Sequence, residues 1–208
     1  MERPSLFNTE MVRAILDGRK VQTRRLLKPK YRENEFGFQV ITNLHDGQFI
    51  RVEYYDEYEE VTRYMEPPCN PGDILWVRET WCPCASLDSF FDGKNLFVYK
   101  ADYAEHSSLP CGWKPSIHMP KEAARIFLRV KDVRVERLQD ISAADIRAEG
   151  LSSMCAMVGD MEIAQLEWRN LWNSTIKKAD LPVYGWEANP WVWVIEFERI
   201  ERPASWEV

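Results

Sequence analysis

Ile126-Phe127-Leu128-Arg129-Val130-Lys131-Asp132-Val133-Arg134-Val135-Glu136-Arg137-Leu138 is the stretch from which the fold can be read. Ile126, Leu128 and Val130 alternate with other residues, the period of a strand with one buried face. Val133 and Val135 resume the alternation on odd positions, so the phase slips near Lys131-Asp132. A period of two cannot change phase without a bulge or a bend. The segment Ala124 to Leu138 therefore predicts one long strand that turns a barrel corner, or two strands tightly joined.

Downstream, Ser142-Ala143-Ala144-Asp145 places an N-cap serine three residues before an acid, close to a capping box. A short helix follows and Gly150 closes it, which leaves Glu149 in the last turn. A carboxylate there faces the negative end of the helix dipole, at a cost of about 0.3–1 kcal/mol. A cationic partner would offset that cost; otherwise Glu149 is exposed and screened. Ala164, Trp168, Leu171 and Trp172 share one face of a second helix over about Met161 to Trp172. Gly185 to Pro190 reads as a turn, and Trp191 to Ile200 as a closing strand, central at its apolar start and wet on one face at its alternating end.

Upstream, Ile74-Leu75-Trp76-Val77 runs apolar without alternation, as a strand covered on both faces does. Arg78 and Glu79 leave it side by side, to line a pocket or to pair with each other. Leu96 to Tyr99 is a further short strand, ending at Lys100. Ser116 and His118 lie just before Pro120; His118 sits in an apolar frame that suits a packed core imidazole more than a reacting one. Residues 31–66 read as an insertion, with Phe36 to Ile41 and Gln48 to Tyr54 as a hairpin and an acidic, tyrosine-rich tail behind it. Strands outnumber helices and no βαβ alternation appears. The expected fold is α+β: a small, mostly antiparallel β-barrel with flanking short helices, one domain over residues 1–200 and a tail at 201–208.

Composition narrows the function. The 208 residues hold nine tryptophans and carry a net charge of −6, which does not suit a protein that coats nucleic acid. The charge is uneven, however. Arg13, Arg19, Lys20, Arg24, Arg25, Lys28, Lys30 and Arg32 stand against the single acid Asp17, a face that suits one nucleotide or a short single-stranded RNA. The five cysteines form no C-x-x-C pair, so free thiols are expected; three of them, Cys82, Cys84 and Cys111, leave a metal site as the lesser option. No phosphate loop is present, and neither a cofactor nor a metal is called for. No apolar run spans a bilayer and Met1-Glu2-Arg3-Pro4 lacks a signal-peptide core, so the expected compartment is the cytoplasm.

One further stretch carries chemistry. Val12, Ile15 and Leu16 fall on one face of a helix over Thr9 to Leu16, and Gly18 stands where its C-terminus wants a positive φ. Lys20, Thr23, Arg24 and Arg25 follow within six residues. A lysine, a hydroxyl and two guanidiniums so close make a nucleophile with its base, or an anion-binding corner. The plainer alternative is a solvated basic segment that favours the helix C-terminus.

Taken in order, Gly18-Arg19-Lys20 with Thr23, Pro71-Gly72-Asp73 with Trp76-Val77-Arg78-Glu79-Thr80-Trp81, Tyr99-Lys100-Ala101-Asp102, Trp113 to Pro120, Ala148-Glu149-Gly150 and Asn189-Pro190-Trp191-Val192-Trp193 resemble the ASCH domain family. The look is that of its longer bacteriophage and prophage members, over most of the chain outside residues 31–66 and Met154 to Asp160. The resemblance implies a PUA-like β-barrel in a bacterial cytoplasm. It also implies a hydrolase that converts N4-acetylcytidine to cytidine and acetate, with Lys20 as base, Thr23 as nucleophile and Glu149 protonating the leaving amine. Arg19, Arg24, Arg25, Arg78, Glu79, Lys100, Ser116 and His118 would surround the nucleoside or RNA. Desolvation of Lys20 beside Arg19 and Arg24 would lower its pKa and suit it to the base role. The same family also includes RNA-binding and ribonuclease modules, which is the alternative reading; a phage accessory protein without catalysis is the third.

Overall fold

In the computed structural model, residues 1–27, 52–55, 61–83, 97–103, 112–151 and 161–204 are described. The long strand is there: β8, Phe127–Arg137, pairs antiparallel with β9, Trp191–Ile200, and the register shifts between Val130 and Asp132. The bulge falls where the hydrophobic phase slips. It keeps Leu128, Val130, Val133 and Val135 all in one core while Lys131 and Asp132 stay exposed.

Around this pair the sheet is built from β1 (Glu2–Leu6), β2 (Gln22–Leu26) and β5 (Ile74–Arg78), in the order β1-β5-β8-β9-β2. β1 runs parallel to β5 and the other pairs are antiparallel. Among the described residues the ladder does not close into the expected barrel. β1 and β2 remain as edges, bridged by a side chain instead: Arg25 donates to the Leu6 carbonyl at 2.7 Å and to Ser5 Oγ at 3.3 Å. β3 (Val52–Tyr55) and β4 (Val61–Met65) form a separate antiparallel pair, as do β6 (Trp81–Pro83) and β7 (Phe97–Tyr99). β4 was not expected; it arises within the acidic tail. The proposed hairpin partner Phe36 to Ile41 lies outside the described residues.

Both faces of the sheet are covered. On one, Leu75, Val77, Val133, Val135, Trp193, Ile195 and Phe197 meet Val12 and Ile15 of α1 (Thr9–Leu16). Burying each such aliphatic side chain stabilises the fold by about 1.5–3 kcal/mol. On the other, Val192 and Val194 meet Ile146 of α2 (Ala143–Ala148) and Ala164, Trp168 and Trp172 of α3 (Met161–Thr175). β5 is covered twice, as its unbroken apolar run implies, because Ile74 and Trp76 pack on a third cluster around Trp81, Met119 and Phe127. A short helix α4 (Leu181–Tyr184) and a turn at Trp186–Ala188 lead into β9. Past β9, Arg202 is tied to the Ala124 carbonyl at 2.9 Å. Cys69 is a buried free thiol, but Cys82 is disulfide-bonded, against expectation, with its partner outside the described residues. Pairing depends on Cα atoms coming within about 7 Å, which spacing in sequence does not show.

Candidate active site

The site grows from the exit of α1. Asn8 caps the helix start, its side chain accepting from the Met11 N–H at 2.8 Å. At the other end Gly18 takes φ +74°, and the Ala14 carbonyl accepts from both Arg19 and Lys20 N–H groups. That turn delivers Lys20 to the end of α2. The Val21 N–H donates to the Ala148 carbonyl at 2.9 Å, and Lys20 pairs with Glu149 across a single bridge. Gly150 permits the approach. Its φ is +94°, and a Cβ there would stand 2.8 Å from Ala14 Cβ and 2.9 Å from Lys20 Cβ.

Lys20 and Glu149 thus meet although they are 129 residues apart. Lys20 Nζ donates to Glu149 Oε2 at 2.6 Å and to the Glu149 carbonyl at 3.0 Å. The side chains are 0 % and 1 % exposed, so this is a contact sealed from water. Glu149 is the C-cap of α2, and its second oxygen accepts from Arg24 NH1 at 3.2 Å. Two cations therefore offset the unfavourable position of a carboxylate at that helix end. Burial is the largest influence on Lys20 and lowers its pKa. The Glu149 carboxylate pulls the other way, Arg25 and Arg24 add to the lowering, and the net direction is down. Arg19 does not act here: it turns out to Asp17 and the Gly150 carbonyl.

Arg24 is itself clamped. Its NH2 donates to Glu136 Oε2 at 3.0 Å and lies 3.7 Å from Asp145 Oδ2. Gln22 Nε2 holds the other Asp145 oxygen at 3.1 Å. Arg134 reaches Glu136 at 2.5 Å, Asp145 at 3.5 Å, and Glu196. Asp145 also closes the capping box with Ser142, so the same carboxylate anchors the first turn of the helix that carries Glu149. Gln22, Arg134, Glu136 and Asp145 were not among the expected site residues. The signal was faint but present: Gln22 with Arg24, and Arg134 with Glu136, stand two apart on strands and so share a face.

Thr23 lies between Gln22 and Arg24 on β2, so alternation sends it to the opposite face, where its cross-strand neighbour Ile195 enters the main core. It is buried, and its hydroxyl makes no hydrogen bond among the described residues. Arg25 shares that face and lies over the Phe7 ring at 5.0 Å.

The other expected residues gather elsewhere. Arg78 and Glu79 do not pair with each other, since neighbours at the end of a strand point apart. Glu79 is buried and takes a two-pronged bond from Arg125 at 2.9 and 3.0 Å. Burial is the first influence on its carboxyl and raises its pKa, with Arg125 opposing. Arg78 lies over the Trp76 ring at 5.6 Å and donates to the Ile117 carbonyl. Lys114 lies over the Trp81 ring at 5.4 Å. Lys100 opens a 3-10 turn, Lys100–Asp102, its backbone N–H donating to the Thr80 carbonyl. Ser116 is half-buried, and His118 is exposed rather than packed in a core. A one-turn 3-10 segment, Ser116–His118, buries none of its side chains, because Met119 alone turns inward from it. Among the described residues no three His, Cys, Asp or Glu side chains converge as a metal site, and no helix is long and apolar enough to cross a membrane.

No family model matches the chain, and no curated protein matches it. Among solved structures, a crystal structure of an ASCH domain from Lactobacillus crispatus JV V101 is similar at 11 % identity, over 97 % of this chain and 80 % of that one, with a TM-score of 0.38. A likeness of that extent leaves the function to be argued from the residues of the site.

Proposed function

We propose that the chain is an ASCH-type amidohydrolase acting on an N4-acylated cytidine, with Lys20, Thr23 and Glu149 as its working groups. The observation that carries the reading is the sealed 2.6 Å contact between Lys20 Nζ and Glu149 Oε2, with Thr23 three residues beyond the lysine. Buried acid–base couples with shifted pKa values concentrate where proton transfer is needed. In the proposed reaction neutral Lys20 takes the Thr23 proton as the alkoxide adds to the acyl carbonyl. The proton passes along the Lys20–Glu149 bond and then to the N4 leaving nitrogen as the C–N bond breaks. Water hydrolyses the threonyl ester, releasing acetate and restoring the hydroxyl. Since Thr23 faces away from Arg24, the substrate must draw Lys20 toward it.

Incubation with N4-acetylcytidine, followed by chromatography of released cytidine, tests this. Turnover by the wild type, reduced at least about a hundredfold in Lys20→Met and Thr23→Val, is the expected result. A folded wild type that leaves the substrate intact overturns it.

A second reading, RNA binding or cleavage, has one observation in its favour. Arg78 lies over Trp76 and donates to the carbonyl of Ile117, which is 55 % exposed, and the exposed Lys114 lies over Trp81. The basic run is less available. Arg13, Arg24 and Arg25 are engaged with other parts of the fold, Arg19 turns out to Asp17 and the Gly150 carbonyl, and Lys28, Lys30 and Arg32 lie outside the described residues. An RNA affinity that falls steeply with salt and drops in Lys114→Ala would favour this second reading.

A further inference from the structure

We propose that Arg24 is a positioning residue which, held from behind by Glu136 and Asp145, fixes the Glu149 carboxylate and sets the charge balance in which Lys20 exchanges its proton. The inference rests on the hydrolase reading above, but its test does not require turnover.

The argument begins with the number of donors on one carboxylate. Glu149 Oε2 accepts from Lys20 and Oε1 from Arg24, so its two oxygens are held by two different cations. A guanidinium stays charged at any working pH, whereas an ammonium can lose its proton. With Arg24 in place, Glu149 therefore keeps a cation whether Lys20 is charged or neutral. The deprotonated lysine needed of a base then leaves no bare buried charge behind it. Arg24 can do this only if it does not swing away, and it is held. Its side chain is 0 % exposed, it contacts Glu136 and Asp145, and Arg134 braces both acids. Arg24 also lies over the Trp168 ring at 6.0 Å, so α3 closes the remaining side. The chain of contacts runs from half-exposed Glu136 inward to fully buried Lys20, and each link is a charged pair.

The charged groups that bear on Lys20 are Glu149 from α2 and Arg24 and Arg25 from β2. Removing Arg24 takes away a neighbouring positive charge and leaves Glu149 wholly to Lys20; both changes favour the ammonium. Removing the negative charge of Glu136 makes the same locus more positive, which disfavours the ammonium. The two substitutions thus act in opposite directions. A merely structural role would not do so, since loosening the site by either route admits water and raises the lysine midpoint in both.

The experiment follows the Lys20 ammonium by NMR of protein carrying 13C-labelled lysine, with the resonance assigned by its loss in Lys20→Met. Expected is a titration midpoint displaced upward in Arg24→Gln by roughly one pH unit, and displaced downward in Glu136→Gln. Arg24→Lys keeps the charge but cannot span Glu149 and Glu136 together. It should hold the midpoint near the wild-type value while lowering kcat and leaving KM nearly unchanged. Upward movement in both Gln variants, or movement in neither, overturns the proposal. If Arg24→Gln does not fold, Glu136→Gln decides alone: a downward midpoint supports the assignment, and an upward or unmoved one overturns it. Absence of turnover in the wild type counts against the hydrolase and leaves the titration to judge Arg24.

Discussion

Lys20 is the residue on which most depends, and the cost of losing it can be stated. Lys20→Met preserves much of the side chain's bulk but leaves buried Glu149 with Arg24 alone. Breaking a buried pair costs about 3–5 kcal/mol, and the remaining guanidinium places this case at the lower end. Urea unfolding of wild type and variant measures it. The pH dependence follows from the direction of the shift. Burial lowers the Lys20 pKa, so between that value and the unfolded value of about 10.4 the folded chain binds fewer protons than the unfolded one. This contribution makes stability rise with pH across that window. The difference between wild type and Lys20→Met should therefore widen in favour of the wild type as the pH is raised through the alkaline range; a difference that narrows would contradict the lowered pKa. Gly150 is the second decisive position. Gly150→Ala meets a positive φ worth about 1–2 kcal/mol and two Cβ contacts under 3 Å, an overpacking of about 1–3 kcal/mol. The variant should lose stability by the sum, together with any activity that needs Lys20 against Glu149. Both residues could be marked from the sequence, Lys20 by its neighbours and Gly150 by its place after a short helix. Their contact could not, since nothing in either stretch says that α1 and α2 end at the same point in space.

At the scale of elements, α2 is a six-residue helix, too short to persist alone. It is held at its first turn by the Ser142–Asp145 box and at its last by Lys20 and Arg24. Ser142→Ala should cost about 1 kcal/mol, read from the shift of the thermal midpoint. Asp145 adds an acid dependence. Burial alone would raise its carboxyl, but the Ser142 hydroxyl and N–H, the Gln22 amide and Arg24 outweigh it and hold the pKa below the ordinary range. A lowered carboxyl pKa stabilises above the unfolded value of about 3.9, and that stability is lost as the pH falls through the lowered one. Asp145→Asn should accordingly flatten part of the decline in unfolding free energy below about pH 4. The capping box, the bulge of β8 and the double-sided burial of β5 and β9 were all legible because each is a local pattern in which neighbours in sequence are neighbours in space. Arg78 and Glu79 show where that ends. Their adjacency left a mutual pair or a pocket lining open, and the pleat sent Glu79 inward to Arg125, 46 residues away.

For the whole molecule, the relation between the two sheet edges is decisive. β1 and β2 share no ladder, and the Arg25 guanidinium spans them. A hydrogen bond from a charged group contributes about 1.5–3 kcal/mol, so Arg25→Met should leave the sheet intact but free its edge. Amide exchange in β1 is expected to quicken by about tenfold or more, since each 1.4 kcal/mol is a factor of ten, while β8 and β9 stay protected. Equal acceleration throughout the sheet would show that Arg25 supports the core rather than the edge.

What the sequence determined by itself is the long strand β8 with its bulge, the strands β5, β7 and β9, the helices α1, α2 and α3, and a short set of polar residues to test. These follow from periods of two and 3.6 and from caps spanning four residues, which act over distances the chain covers locally. The tertiary structure alone decided which of those residues meet. Lys20 and Arg24 converge on Glu149; Thr23 faces the opposite side of its strand; Glu79 pairs with Arg125; and the expected barrel is, among the described residues, a five-stranded sheet bridged at its edges by a side chain. The reason is physical. A buried charge must find its partner wherever packing has placed one, and packing is settled by the burial of apolar faces contributed from the length of the chain, which no single stretch encodes.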